Sequence, residues 1–134
     1  MAAGVTGEGA ELIARLGAKV VNVSQLSVNG AARSRVFLGH FGGEGIIVGG
    51  QRIAIPNAGL QALEGLASQH GGRTLAGMPG DIQALAPSIL SADEIVFNIG
   101  AGGIRAGSLT AQELDLLVKA GMLDKVTFVT GLAY

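Results

Sequence analysis

The chain contains no cysteine and no tryptophan, only three prolines, and 4% aromatic residues in a length of 134. Without cysteine there is no disulfide, no thiolate nucleophile and no zinc site built on sulfur. Charge is scarce too, at 14% of residues against about 25% in an ordinary globular domain. The formal net charge is -1 and the isoelectric point about 6.1. Sequence-independent affinity for nucleic acid depends on clustered cations, and nine scattered Lys and Arg residues give no strong nucleic-acid signature. No apolar run reaches the roughly 18–20 residues that a membrane-spanning helix needs. The opening residues, MAAGVTGEGAE, carry acids and no basic region, so a signal peptide is not expected there.

What the chain has instead is apolar bulk and glycine. Apolar residues make up 49% and glycine 23 of the 134, with a mean hydropathy of +0.49. At this length about two-thirds of the unfolded surface can be buried without a staple, so residues 1–134 are read as one α/β domain. The glycines are not periodic. They fall between apolar runs, as turns and helix ends that need positive φ require.

In chain order, Thr6 caps a first predicted helix carrying Leu12, Ile13 and Leu16, with Gly17 after it. Lys19–Ser24 is dense in β-branched residues and reads as a strand. Asn29-Gly30 is a strong two-residue turn signal, predicting a hairpin of 25–28 with 33–38. Ile46–Val48 and Gln51–Ile55, joined by Gly49-Gly50, predict a second. Asn57 opens a helix to about Gln69, and Arg73–Ala76 is a short strand. Asp81 caps a further helix, in which Pro87 predicts a kink or two shorter turns. Glu94–Ile99 is a buried strand. Thr110 and Glu113 have the spacing of a capping box on a helix whose buried stripe is predicted as Leu114, Leu117 and Val118. Lys125–Thr130 closes the chain. The strand–helix alternation of the second half predicts an α/β domain with a mixed, mostly parallel sheet, flanking helices and one or two β-hairpins.

Two loops carry the candidate chemistry. Glu94–Gly107, EIVFNIGAGGIRAG, is a strand emptying into glycines ahead of a helix, the place where open α/β sheets hold ligands. The dinucleotide pattern G-x-G-x-x-G is broken, however, because Arg105 stands where its third glycine belongs, and no acid follows to hold a ribose. Asn98, Gly102, Gly103 and Arg105 are the candidate substrate-binding residues, for an anion or a nucleotide-like small molecule. The second loop, GHFGGEG over 39–45, holds His40 and Glu44, a titratable imidazole beside a carboxylate that can orient it. These are the candidate catalytic residues, and the site is expected where the two loops meet. His70 sits at a predicted helix end, where the macrodipole favours a cation. Asn98 and Thr130, near the ends of two predicted strands, would converge if those strands are parallel neighbours. Asp93 and Glu94 should face opposite sides. Thirty residues separate the two histidines without H-x3-H or H-E-x-x-H spacing, so no metal and no cofactor is expected. No G-x-S-x-G elbow is present.

The last third, EIVFNIGAGGIRAGSLTAQELDLLVKAGMLDKVTFVTG, with AKVVNV near the start, resembles in layout the C-terminal toxin domains of bacterial polymorphic toxins of the rearrangement hot-spot and contact-dependent inhibition types. The resemblance implies an antibacterial effector, secreted and delivered into the cytoplasm of a target bacterium. It would act there on a nucleotide-like or nucleic-acid substrate and be neutralised by a cognate immunity protein. The alternatives are a non-catalytic ligand-binding α/β module, or a structural or assembly subunit such as a phage or shell component. Both would be cytoplasmic.

Overall fold

The structure, a computed structural model, describes residues 17–39, 46–53, 58–75, 81–99 and 109–132. Among the described residues seven strands run in order: β1 (Lys19–Asn22), β2 (Arg35–Gly39), β3 (Ile46–Val48), β4 (Gln51–Ile53), β5 (Arg73–Thr74), β6 (Glu94–Asn98) and β7 (Val126–Thr130). Three α-helices join them among the described residues: α1 (Ala58–Gln69), α2 (Ile82–Leu90) and α3 (Leu109–Lys119). The helix predicted over 6–16 lies outside the described residues.

The main sheet has the order β1-β7-β6-β2-β5, and every pairing in it is parallel. The α/β layout is the one the alternation predicts, with one refinement. The antiparallel pair β3–β4 turns through Gly49 and Gly50, at φ 58° and 82°, and forms a two-stranded sheet of its own rather than an edge of the main one.

The hairpin expected around Asn29-Gly30 does not form. The turn itself is there: the Asn29 side chain accepts the Ala31 amide at 3.0 Å, and its carbonyl accepts that of Ala32 at 3.0 Å. The chain before it is a 3-10 turn over Val23–Gln25, and β2 is buried along its whole length. A strand covered on both faces belongs in a parallel sheet between helices, and β2 lies between β6 and β5.

Alternation along the strands divides the core in two. Val36, Leu38, Ile95, Phe97, Val126 and Phe128 face one side, with Ile89 of α2 and Leu117 of α3. Phe37, Val96 and Val129 face the other, with Leu63, Leu66 and Ala67 of α1. The connection β2–α1–β5 runs one way along the sheet, and β5–α2–β6 and β6–α3–β7 run the other. Right-handed crossovers in opposite directions lay their helices on opposite faces, which produces the three layers.

Pro87 sits inside an unbroken helix rather than dividing it. Pro87 and Gln83 are both exposed, so water can take the carbonyl that the proline leaves without an amide partner. Asp81 stands at the N-cap, but its side chain makes no capping bond. Its carbonyl accepts the amides of Ala84 and Leu85 instead.

At the amino edge of the sheet, Arg35 binds three elements together. Its Nε donates to Glu94 Oε1 at 2.6 Å, its Nη1 to the carbonyls of His70 at 2.7 Å and Gly71 at 3.3 Å, and its Nη2 to the Asn29 carbonyl. Arg35 thereby caps the C-terminus of α1, where the helix dipole favours a cation. Glu94 also accepts the Asn29 amide, and Asp93 accepts the amides of Arg33 and Ser34. Both acids therefore hold the 29–34 segment.

Removing one partner of such a buried pair leaves the other charge uncompensated, at about 3–5 kcal/mol. Arg35→Met is therefore expected to cost about 3 kcal/mol in urea denaturation. A loss below about 1 kcal/mol would show that this cluster is not what joins α1 to the sheet.

Candidate functional site at the carboxyl edge of β2 and β6

In a parallel sheet, a crevice opens where two neighbouring strands send their connections in opposite directions. Here those strands are β2, which continues toward β5, and β6, which continues toward β7. Their last residues, Gly39 and Asn98, are register partners. Gly39 has φ 110°, and a Cβ on it would lie 2.4 Å from the Asn98 carbonyl oxygen. Only glycine fits this position, both for its backbone angle and for the closeness of the strands.

Facing this edge is a residue that sequence reasoning assigned elsewhere. Glu113 is only 1% exposed, and it lies on the buried stripe of α3 with Leu109, Thr110 and Leu117. The predicted capping box is not formed: α3 begins at Leu109, so Thr110 and Glu113 both lie inside the helix. The predicted stripe is also rotated. Val118 is 41% exposed, and Glu113 occupies the core-facing position midway between Leu109 and Leu117. The signal was available in the spacing, since 109, 113 and 117 step by four along one helix face.

The carboxyl of Glu113 accepts the Gly39 amide, while its Oε1 is buried and makes no hydrogen bond. Burial pushes this carboxyl up from 4.5 to about 8, and the Gly39 bond offsets only part of the rise. The group is therefore largely neutral at neutral pH. A neutral carboxylic acid can donate as well as accept a hydrogen bond, which is how such groups serve as general acids.

His40, Glu44, Gly102, Gly103 and Arg105 lie outside the described residues. The stems of their loops, Gly39 and Ile99, leave the same edge of adjoining strands. Asn98 is fully buried at the end of β6. It pairs with Val129 on the face of α1, whereas Thr130 follows Val129 and takes the opposite face. The two strands are parallel neighbours, but Asn98 and Thr130 do not converge. His70 is structural: its ring stacks on Phe37 at 6.5 Å and its carbonyl receives Arg35.

A cavity of about 440 Å³ at the amino edge includes Asp93 and Glu94 in its lining, and both already bind backbone amides. Among the described residues, no group of His, Asp and Glu side chains is arranged to hold a metal ion, and no helix is long and apolar enough to cross a membrane. Comparison with known proteins finds no matching family model, no matching curated protein and no matching solved structure.

The buried acid sets a pH dependence whose sign follows from proton counting. Between 4.5 and about 8 the folded chain holds a proton at Glu113 that the unfolded chain has released. Stability therefore falls as pH rises through that window, by up to about 1.4 kcal/mol per unit. Urea midpoints of Glu113→Gln are expected to lack this slope and to exceed wild type above pH 8. Parallel pH profiles for the two proteins would show that Glu113 is not buried as described.

Proposed function

We propose that the protein binds a small polar molecule in the crevice between the carboxyl ends of β2 and β6, with the Glu113 carboxyl as the contacting group. The observation that supports this reading is the buried acid on α3, held against Gly39 at the switch point of the sheet. An apolar residue would complete the stripe between Leu109 and Leu117 at no desolvation cost. An ionisable group kept in an apolar layer at the switch point of a parallel sheet is a mark of functional sites.

Thermal denaturation against nucleotides, nucleosides, sugars and organic acids tests the reading. A ligand at a hundredfold excess over its Kd stabilises by about 2.7 kcal/mol. At least one compound class is expected to raise the Tm of wild type by several degrees and to leave Glu113→Leu unmoved. Equal shifts in both proteins, or none in either, would count against the site.

The effector-domain reading is a second proposal, supported by the layout of the last third, in which β6, α3 and β7 follow one another as strand, helix and closing strand. It makes His40 and Glu44 catalytic, with Asn98, Gly102, Gly103 and Arg105 binding a nucleotide-like substrate, and it calls for a cognate immunity protein. Expression in a bacterial cytosol without that partner should arrest growth, and His40→Ala or Glu44→Ala should relieve the arrest. Harmless high-level expression of the wild type would sink it.

A further inference from the structure

The geometry around Glu113 specifies more than a location. One carboxyl oxygen is engaged by the Gly39 amide, and the other, Oε1, is enclosed without a hydrogen-bond partner. We propose that the ligand of this site presents an uncharged hydrogen-bond acceptor, a carbonyl oxygen or an unprotonated ring nitrogen, to a hydroxyl at Glu113 Oε1. This rests on the small-ligand reading above and adds the chemistry by which the ligand is selected.

On α3 the other charged groups are Asp115 and Lys119, which pair with each other at 2.8 Å in solvent. On β2 the charged residue is Arg35, at the opposite end of the strand and bound to Glu94 of β6. Asp81, ahead of α2, is exposed. Among the described residues no cation faces Glu113, and burial raises its carboxyl to about 8, so on the acid side of that value it holds its proton. A neutral carboxyl has one carbonyl oxygen and one hydroxyl. The Gly39 amide is a donor and must meet a lone pair, so it takes the carbonyl oxygen and leaves the hydroxyl at Oε1.

A buried hydroxyl without an acceptor costs about 1–3 kcal/mol. A ligand lone pair at that point recovers the loss. A ligand that offers only donors leaves the hydroxyl unsatisfied, and a cation would first require the proton to leave. The same asymmetry underlies the strong discrimination of sites built around one buried polar partner. No proton changes hands in this recognition: the hydroxyl donates and keeps its hydrogen.

The test uses the full isotope-labelled chain and two probes of opposite character, dimethyl sulfoxide as a pure acceptor and methylammonium as a pure donor. The Gly39 amide and the Glu113 carboxyl carbon are followed by NMR. Dimethyl sulfoxide is expected to shift both signals on the acid side of about 8, with apparent affinity falling about tenfold per pH unit above it. Glu113→Gln keeps an acceptor for Gly39 and a donor in place of Oε1. It should retain the response to dimethyl sulfoxide and lose the pH dependence, while Glu113→Leu loses the response. If methylammonium shifts these signals on the acid side instead, the crevice binds ligands but the acceptor assignment is overturned. If neither probe reaches them, the small-ligand reading falls and this inference with it.

Discussion

The pairing of β2 with β6 is the contact on which the rest of the molecule depends. It runs in register from Arg35 and Glu94 at one end to Gly39 and Asn98 at the other. At the amino end it brings a cation and an anion within 2.6 Å, and through them fixes the 29–34 segment and the end of α1. At the carboxyl end it brings two backbones so close that a single methyl group would collide with the neighbouring carbonyl. A slip of one residue would separate the ion pair and turn the alternating faces of β2 over at the same time. The register is thus enforced by charge at one end and by packing between.

The two ends differ in how their polar groups are treated. At the amino edge, Arg35, Asp93 and Glu94 are matched to backbone amides, carbonyls or one another. At the carboxyl edge, a fully enclosed acid keeps an oxygen without a partner. Natural folds satisfy buried polar atoms almost everywhere, so an exception invites a functional explanation. The exception here stands where parallel sheets open their crevices, and that coincidence makes the edge a candidate site rather than a flaw in packing.

Much of the layered fold was legible because apolar runs and turn residues act locally. The segments of β6, β7 and α1, and the β3–β4 hairpin, follow from β-branched runs, a helical stripe and paired glycines. The partner of β2 was not legible. Asn29-Gly30 does make a turn, but the strand after it is claimed by β6, some sixty residues later, and no local pattern encodes that distance. Glu113 was misread for a related reason. Its spacing from Thr110 matches a cap, and only the start of α3 at Leu109 decides that the helix has already begun. Once that boundary is known, the four-residue steps on either side place the acid in the core.

The order β1-β7-β6-β2-β5 has a consequence for how the chain can fold as it is made. β1 is the first strand described and has one neighbour, β7, which is the last. On the ribosome β1 must therefore wait through the synthesis of nearly every other element before its amides find carbonyls. β2 is in a different position: β5 is available to it early, and β6 follows before α3 exists. The trio β5, β2 and β6, with α1 and α2 between its strands, is complete in the chain before β7 is made, whereas β1 can join the sheet only once β7 exists.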